Sequence, residues 1–196
     1  MALGPVMASV SRTPWRIRSA ALAAILIAAP ALAGDPVIDT AKSSIVATFK
    51  QEGVPVETPF TEFSGCIVYD PDDLATSSAK IEVITGSLDL GDETYNEEVR
   101  RPEWFDSATH PGARFQSTSI ESAGAGAFKA TGELTIKGVT QTITVPITVS
   151  RTAEGQAFNG TFEVSRKAFN LGEPMWDEVL EDIVVVHFHL VRQSGD

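Results

Sequence analysis

Apolar and polar residues alternate along most of the chain from residue 44 onward. In 142–149 every odd-numbered position is Ile or Val, and threonines occupy most of the even-numbered ones. This period of two is typical of a half-buried β-strand, and Pro146 within it indicates an edge, a bulge or an outward-facing backbone position. Similar segments predict eight strands, at 44–50, 60–69, 79–84, 113–120, 128–136, 142–149, 157–164 and 182–191.

Short glycine-containing segments separate the later strands, at 123–126, 137–138 and 154–155. Connections of this length force neighbouring strands to run antiparallel. A series of short antiparallel strands forms a sandwich or a closed barrel, since both limit exposed sheet edges. We therefore expect an all-β fold, with one domain over residues 34–196.

One segment breaks the alternation. Thr94 and Glu97 have the spacing of a capping box, and Glu97 lies four residues before Arg101. This pattern predicts a short helix over residues 93–101, ended by Pro102.

The N-terminus has the pattern of a cleavable signal peptide. Arg12, Arg16 and Arg18 precede an apolar run at 20–29, which is followed by Ala-Leu-Ala at 31–33. The run is too short to span a membrane. We expect residues 1–33 to be removed and the mature chain to be exported to the periplasm.

The charge balance is strongly acidic. The full chain has 15 basic and 26 acidic residues, for a formal charge of −11. Cleavage would remove three arginines and no acid, so 15 − 3 = 12 basic residues would remain against 26 acidic ones, a formal charge of −14. Such a surface excludes nucleic acid as a partner. Cys66 is the one cysteine of the sequence, so no intrachain disulfide can form, and we expect a buried, inert thiol.

The sequence contains none of the common catalytic motifs. A nucleophile elbow, a zinc-protease helix motif, a phosphate-binding glycine loop and a dinucleotide fingerprint are all missing. His187 and His189 share one face of the last predicted strand and could hold zinc or copper if other ligands joined them. Because the opposite face is continuously apolar, the simpler interpretation is two solvent-facing histidines. We predict no catalytic residue, no metal and no cofactor.

Several segments, in order along nearly the whole mature chain, carry a resemblance to a known family. They are GELTIKGVT at 132–140, His110-Pro111 followed by FQS at 115–117, and VSRKAF at 164–169. They resemble the YceI-like proteins, which are extracytoplasmic polyisoprenoid-binding barrels. The resemblance implies an eight-stranded, lipocalin-like antiparallel barrel, with a short helix at one mouth and a long apolar lumen for an isoprenoid lipid such as a quinone or a polyprenyl phosphate.

The strand register then predicts which side chains face that lumen. Four bulky residues fall in irregular segments instead, where they could cap the mouth or contact a membrane while lipid transfers. Arg166 has an inward register near a strand end, where it could pair with Asp182 or Glu181 or meet a polar headgroup. The expected lumen residues are Ile45, Phe49, Phe63, Ile67, Phe115, Leu134, Ile136, Phe162, Val164, Val184, Val186 and Phe188, and the expected mouth residues are Trp104, Phe105, Phe169 and Trp176.

These features favour a non-catalytic periplasmic carrier of an isoprenoid lipid, as a monomer or a homodimer, with transient membrane contact. The resemblance also allows a second hypothesis, a non-catalytic interaction module that serves a membrane b-type cytochrome or a stress response. A third hypothesis, a small exported hydrolase, is disfavoured by the missing catalytic triad.

Overall fold

The computed structural model describes residues 37–153 and 155–192, and the predicted signal peptide at 1–33 lies outside them. Strands make up most of the described residues, with one short α-helix and several 3₁₀ turns. No helix among these residues is long and apolar enough to cross a membrane. In chain order the main elements are β1 Ser44–Gln51, β2 Val54–Pro59, β3 Phe63–Val68, β4 Ser78–Ile84, helix α1 Glu93–Val99, β5 Gly112–Gly124, β6 Ala127–Ile136, β7 Val139–Thr152, β8 Gly155–Ser165 and β9 Ile183–Arg192.

The strands form one sheet in the order β2-β1-β9-β8-β7-β6-β5-β4-β3. Every neighbouring pair is antiparallel. The sheet curls strongly into a half-barrel, with one face inside the curl and the other outside. This arrangement confirms the predicted all-β, lipocalin-like architecture with a short helix.

The predicted number of eight strands is wrong, because the structure has nine. The additional strand, β2, pairs with β1 after a two-residue turn in which Glu52 and Gly53 have φ values of 51° and 79°. Two positive φ values are typical of a type I′ hairpin turn. Alternation did not reveal β2 because Pro55 and Pro59 interrupt it. Such prolines are tolerated here because β2 is an edge strand.

Pro146 marks a split in the sheet. The pairing of β7 with β8 begins at Ile147 and continues to Thr152, whereas β7 pairs with β6 from Val139 to Thr148. A proline has no backbone N–H to donate to a neighbouring strand. The first half of β7 therefore lies beside the segment after β8, where the Gln141 side chain donates to the Ala168 carbonyl at 3.0 Å.

Helix α1 begins at Glu93, as predicted, but Asp92 and not Thr94 is its N-cap. The carboxylate of Asp92 accepts a hydrogen bond from the Thr94 backbone N–H at 2.8 Å, so Asp92 caps the helix and Thr94 lies inside it. The helix ends at Val99, two residues before the predicted end. Arg101 pairs with Glu98 at 2.7 Å, and the predicted Glu97 partner is wrong.

The segment before β1 joins the two sides of the curl at one end. The Ile38 backbone N–H donates to the Gly65 carbonyl of β3 at 3.0 Å, and the Asp39 N–H donates to the Val191 carbonyl of β9 at 2.7 Å. A neighbouring bridge joins Val37 to Cys66, which is half-buried and not fully buried as expected. We call this the closed end of the half-barrel. Its apolar core consists of Ile38, Ile45, Ile67, Ala79, Phe158 and Leu190.

Candidate functional site

The curled sheet encloses a cavity of about 460 Å³. Ligand sites for small molecules commonly have volumes of about 300–1,000 Å³ and walls that are mostly apolar. The wall of this cavity is mostly apolar, and it includes every predicted lumen residue except Phe63. These wall residues are Ile45, Phe49, Ile67, Phe115, Leu134, Ile136, Phe162, Val164, Val184, Val186 and Phe188.

The alternation of β9 explains how one strand contributes to the wall. Val184, Val186 and Phe188 line the cavity, whereas the residues between them face the outside of the curl. Successive side chains of a strand point to opposite faces, so an apolar wall and a polar exterior follow from the same sequence pattern. The antiparallel neighbours β1 and β8 continue this wall on both sides.

Two strand glycines make room for aromatic rings of the wall. A Cβ atom added to Gly132 would lie 2.7 Å from Cζ of Phe115, and one added to Gly160 would overlap the ring of Phe188. Neither glycine has a positive φ, so the reason for glycine here is space and not backbone conformation. Sequence reasoning missed this role, although a glycine within a strand is a known signal of close approach.

Two of the predicted site residues do not line the cavity. Phe63 is half-buried and packs against the core of the closed end. Phe169 is 2% exposed and is buried in a second core cluster with Val164 and Leu171 instead of lining the cavity. The split between β7 and β8 explains its position, because the segment after β8 packs there.

Aromatic rings narrow the closed end of the cavity. Tyr69 contacts Phe128 and Phe158 edge-on, with ring centroids 5.3 and 5.6 Å away. Burial raises the pKa of the Tyr69 phenol above its ordinary value, although nearby Arg192 opposes the shift. The phenol is therefore neutral at physiological pH, and this end of the cavity carries no charge from it.

The other end of the half-barrel is the mouth, where β1 ends and β9 begins. Trp104 and Trp176 lie there with ring centroids 5.9 Å apart, and Phe105 contacts Phe60 at 6.3 Å. Three of the four predicted mouth residues therefore line the cavity: Trp104, Phe105 and Trp176. Helix α1 adds Tyr95, Glu98 and Val99 to the same wall.

A segment that we call the mouth strap, residues 171–181, crosses this end. It contains the 3₁₀ turn Pro174–Trp176. Backbone hydrogen bonds attach it at both ends: the Gly172 N–H donates to the Glu103 carbonyl at 2.9 Å, and the Glu52 N–H donates to the Val179 carbonyl at 2.8 Å. The strap places Trp176 and Leu180 on the cavity wall.

Arg166 holds the mouth strap from within. Its side chain is 4% exposed and donates to the backbone carbonyls of Leu171, Leu180 and Glu181 at 3.1, 3.0 and 3.2 Å. A fourth hydrogen bond, from Nη2 to Oδ1 of Asp177, measures 2.7 Å and is an ion pair. A buried guanidinium requires such partners, since an unpaired buried charge is costly.

The predicted acidic partners of Arg166 are wrong. The Asp182 carboxylate accepts from the Ser165 hydroxyl and the Lys167 backbone N–H instead. The Glu181 carboxylate pairs with Lys50 at 3.4 Å, and only its backbone carbonyl reaches the guanidinium. Hydrogen bonds from Lys167 and Arg166 lower the pKa of Asp177 below its ordinary value.

Trp104 carries a buried donor at the mouth. Its indole Nε1 is fully covered, and within residues 37–153 and 155–192 it has no hydrogen-bond acceptor. The ring packs on Gly172, where an added Cβ would lie 2.8 Å from the ring and 3.2 Å from Nη1 of Arg166. Trp104, Gly172 and Arg166 therefore form one compact group at the entrance.

The histidine pair of β9 lies on the outer face, as the register predicted. Nδ1 of His187 is 2.9 Å from the Thr161 hydroxyl, and Nδ1 of His189 is 2.6 Å from the Asn159 amide oxygen. Among the described residues, no group of three or more His, Cys, Asp or Glu side chains could hold a metal ion.

Known proteins resemble this chain in sequence. The family model for the YceI-like domain matches residues 37–192. A UPF0312 protein of Vibrio campbellii is 34% identical over 127 residues, which are 62% of this chain and 67% of the relative. A UPF0312 protein of Azotobacter vinelandii is 30% identical over 125 residues, with 62% of this chain and 65% of the relative covered.

Solved structures resemble it as well. BcnA of Burkholderia cenocepacia superposes with a TM-score of 0.76 at 42% identity, covering 79% of this chain and 98% of BcnA. A polyisoprenoid binding domain from Saccharophagus degradans has a TM-score of 0.68 at 17% identity, covering 83% and 100%, and shares the fold. Because the family model matches most of the chain, and the fold agrees with these structures, this chain belongs to the YceI-like family.

Proposed function

We propose that this chain is a periplasmic carrier that encloses the apolar tail of an isoprenoid lipid, such as a quinone or a polyprenyl lipid, and performs no chemistry on it. The observation that carries the proposal is the cavity of about 460 Å³ with its mostly apolar wall. A wall of this kind offers a hydrocarbon chain a mostly apolar surface and offers a water-soluble substrate few polar contacts.

Burial of the tail can supply the binding energy. Each buried methylene-sized group contributes about 0.8 kcal/mol, so an isoprene unit contributes roughly 3 kcal/mol or more. Association costs on the order of 4–15 kcal/mol. A few enclosed isoprene units offset this cost without polar contacts, so we expect chain length to matter more than chain shape.

A structural relative supports the choice of ligand. The solved domain from Saccharophagus degradans is described as polyisoprenoid binding, and it has the same fold. The aromatic wall residues Phe115, Phe162 and Phe188 suit an unsaturated, methyl-branched chain, because their flat faces pack against it.

The distribution of chemical groups supports a carrier over an enzyme. The polar groups of His187 and His189 contact other side chains on the outer face, away from the cavity. Arg166 and Asp177 at the mouth are bonded to each other. A bound lipid would therefore meet packing surfaces and not a nucleophile with its base.

The periplasmic location rests on the signal-peptide pattern of residues 1–33. Transient membrane contact is part of the proposal, because apolar side chains are exposed beside the cavity entrance. Tyr95 of α1 is 62% exposed and also lines the cavity, and Met175 of the mouth strap is 74% exposed. A lipid could pass between a bilayer and the cavity across such a surface.

Mass spectrometry of a solvent extract tests the proposal. The full chain is expressed with its leader in a bacterium that makes quinones, purified from the periplasm without detergent, and extracted. We expect one prenyl lipid per protein molecule. An extract without lipid from a folded protein would contradict the carrier and favour the interaction module.

A further inference from the structure

The charged and hydrogen-bonding groups of the cavity wall are concentrated at the mouth. Gln51 at the end of β1, Glu98 of α1, Trp104, Arg166 and Glu181 all line this end. The closed end instead holds Phe128, Phe158 and the neutral Tyr69. A lipid that enters tail first therefore leaves its polar head among the mouth residues.

Both cationic side chains of the described cavity wall already have acidic partners. Nη2 of Arg114 lies 2.9 Å from Oε1 of Glu82. Arg166 uses four hydrogen bonds to hold Asp177 and three backbone carbonyls of the mouth strap. An anionic head could engage Arg166 only by displacing the strap contacts.

Carboxylates at the mouth oppose an anionic head further. Glu98 and Glu181 belong to the wall, and the cations beside them, Arg101 and Lys50, are paired with them at 2.7 and 3.4 Å. Both ion pairs are solvent-exposed, and each contributes little to the stability of the fold. Within the wall itself, two carboxylates balance two arginines, which leaves no excess positive charge for a phosphate.

Trp104 supplies a hydrogen-bond donor that suits an uncharged lipid head. Its indole N–H is a donor only, and it is buried without an acceptor. A buried donor without an acceptor is unfavourable, because it has lost its hydrogen bond to water. Trp104 lines the cavity, so a carbonyl or hydroxyl oxygen of a bound ligand could accept from this donor once the atoms that cover the nitrogen move aside.

We propose that the mouth selects isoprenoids with an uncharged, hydrogen-bond-accepting head and rejects phosphate-headed isoprenoids with the same tail, with Trp104 as the specificity-determining donor. This inference rests on the proposed lipid-binding function and narrows its ligand class. Tail burial contributes equally to both kinds of ligand, so the head decides between them.

Three probes that differ in the head test the selectivity: squalene, which has no head, geranylgeraniol, and geranylgeranyl phosphate. The affinity of each probe is measured by its displacement of the dye Nile red from the delipidated mature protein. We expect geranylgeraniol to bind at least about tenfold more tightly than geranylgeranyl phosphate, because the phosphate must lose its hydration while both arginines of the described cavity wall are already paired. Equal or tighter binding of the phosphate overturns the inference while leaving the carrier proposal intact. Failure of all three probes overturns both.

The variant Trp104→Phe tests the donor. It keeps an aromatic ring and removes the N–H. We expect it to weaken geranylgeraniol about two- to tenfold more than squalene, which is the effect of one net hydrogen bond. Trp176→Phe is the matched control and should change both ligands to a similar extent. If Trp104→Phe weakens squalene as much as geranylgeraniol, Trp104 only packs, and its assigned role is wrong.

Discussion

Nη2 of Arg166 lies 2.7 Å from Oδ1 of Asp177, and this ion pair joins the end of β8 to the mouth strap. Asp177 also accepts from Lys167 at 2.8 Å, so one carboxylate receives two cations. The same guanidinium donates hydrogen bonds to backbone carbonyls near both ends of the strap, those of Leu171 and Leu180. Arg166 and Asp177 thus add side-chain contacts to the backbone hydrogen bonds that attach the mouth strap at the entrance of the cavity.

Replacing Asp177 should remove a contribution to stability that is present at neutral pH and absent at strongly acidic pH. The pKa of Asp177 is lowered from its usual 3.8 by hydrogen bonds from Lys167 and Arg166. A lowered folded-state pKa stabilises the protein above the unfolded value, and the contribution is lost as pH falls through the folded value. We expect Asp177→Asn to lower Tm by a few degrees at pH 7 and to have little effect below the lowered pKa, as measured by thermal unfolding at both values.

Asp73→Asn is the matched control for this experiment. Asp73 precedes a 3₁₀ turn, and its side chain makes no capping hydrogen bond. It should leave Tm nearly unchanged at both pH values. An Asp177→Asn effect that is the same at pH 7 and at strongly acidic pH would contradict the assignment of the stabilisation to the ionised carboxylate.

A charge placed in the cavity wall should abolish lipid binding. Phe162 lines the cavity, whereas the preceding residue, Thr161, is exposed on the outer face of the same strand. Burying an unpaired carboxylate beside a hydrocarbon chain is strongly unfavourable. We expect Phe162→Asp to reduce co-purified lipid at least about tenfold, and Thr161→Asp to retain most of it, by mass spectrometry of extracts.

The double variant His187→Ala with His189→Ala should also retain the lipid. Both side chains bond to residues of the outer face. Loss of lipid in this variant, with the fold intact by circular dichroism, would show that the outer face contributes to binding.

The space left by Gly160 should be essential for the position of Phe188. A Cβ atom at this site would overlap the Phe188 ring and the backbone carbonyl of Pro146. We expect Gly160→Ala to destabilise the fold by about 1–3 kcal/mol, the usual cost of overpacking, in urea denaturation. In Gly86→Ala the nearest atom outside the adjacent residues would lie 3.8 Å away, so this control should cost less. Equal costs would argue against the close-approach role.

The cap of helix α1 can be identified by mutation. The Asp92 carboxylate accepts from the Thr94 N–H, so Asp92→Ala should cost about 1 kcal/mol of stability. Thr94→Ala should change stability by less than about 0.5 kcal/mol, because its backbone N–H remains. The opposite order in denaturant titrations would restore the capping box centred on Thr94.

Much of the cavity wall could be predicted from alternation. The register of β9 separates Val184, Val186 and Phe188 from the two histidines, and the structure has the same division. The short turn at Lys137 and Gly138 likewise formed the expected hairpin, with φ values of 47° and 75°. Phe63 also has the inward register and packs against the core of the closed end, although it does not line the cavity.

The acidic partner of Arg166 could not be predicted in the same way. Asp182 and Glu181 were the nearest acids to the start of β9, but Asp177 reaches the guanidinium because the turn Pro174–Trp176 brings it back across the mouth. Phe169 was similarly unpredictable, since its place in the buried core depends on the split between β7 and β8 at Pro146.

The sequence by itself determined the all-β class, the face of most strand residues and an apolar interior, because alternation and turn residues act over a few neighbouring positions. Only the tertiary structure decided the ninth strand at the edge, the mouth strap and the pairing of Arg166 with Asp177. The prolines of the ninth strand interrupt its alternation and are tolerated there because it is an edge strand. The mouth strap and the ion pair depend on contacts between segments that are folded back by irregular turns, and no local periodicity encodes which of several similar side chains will meet.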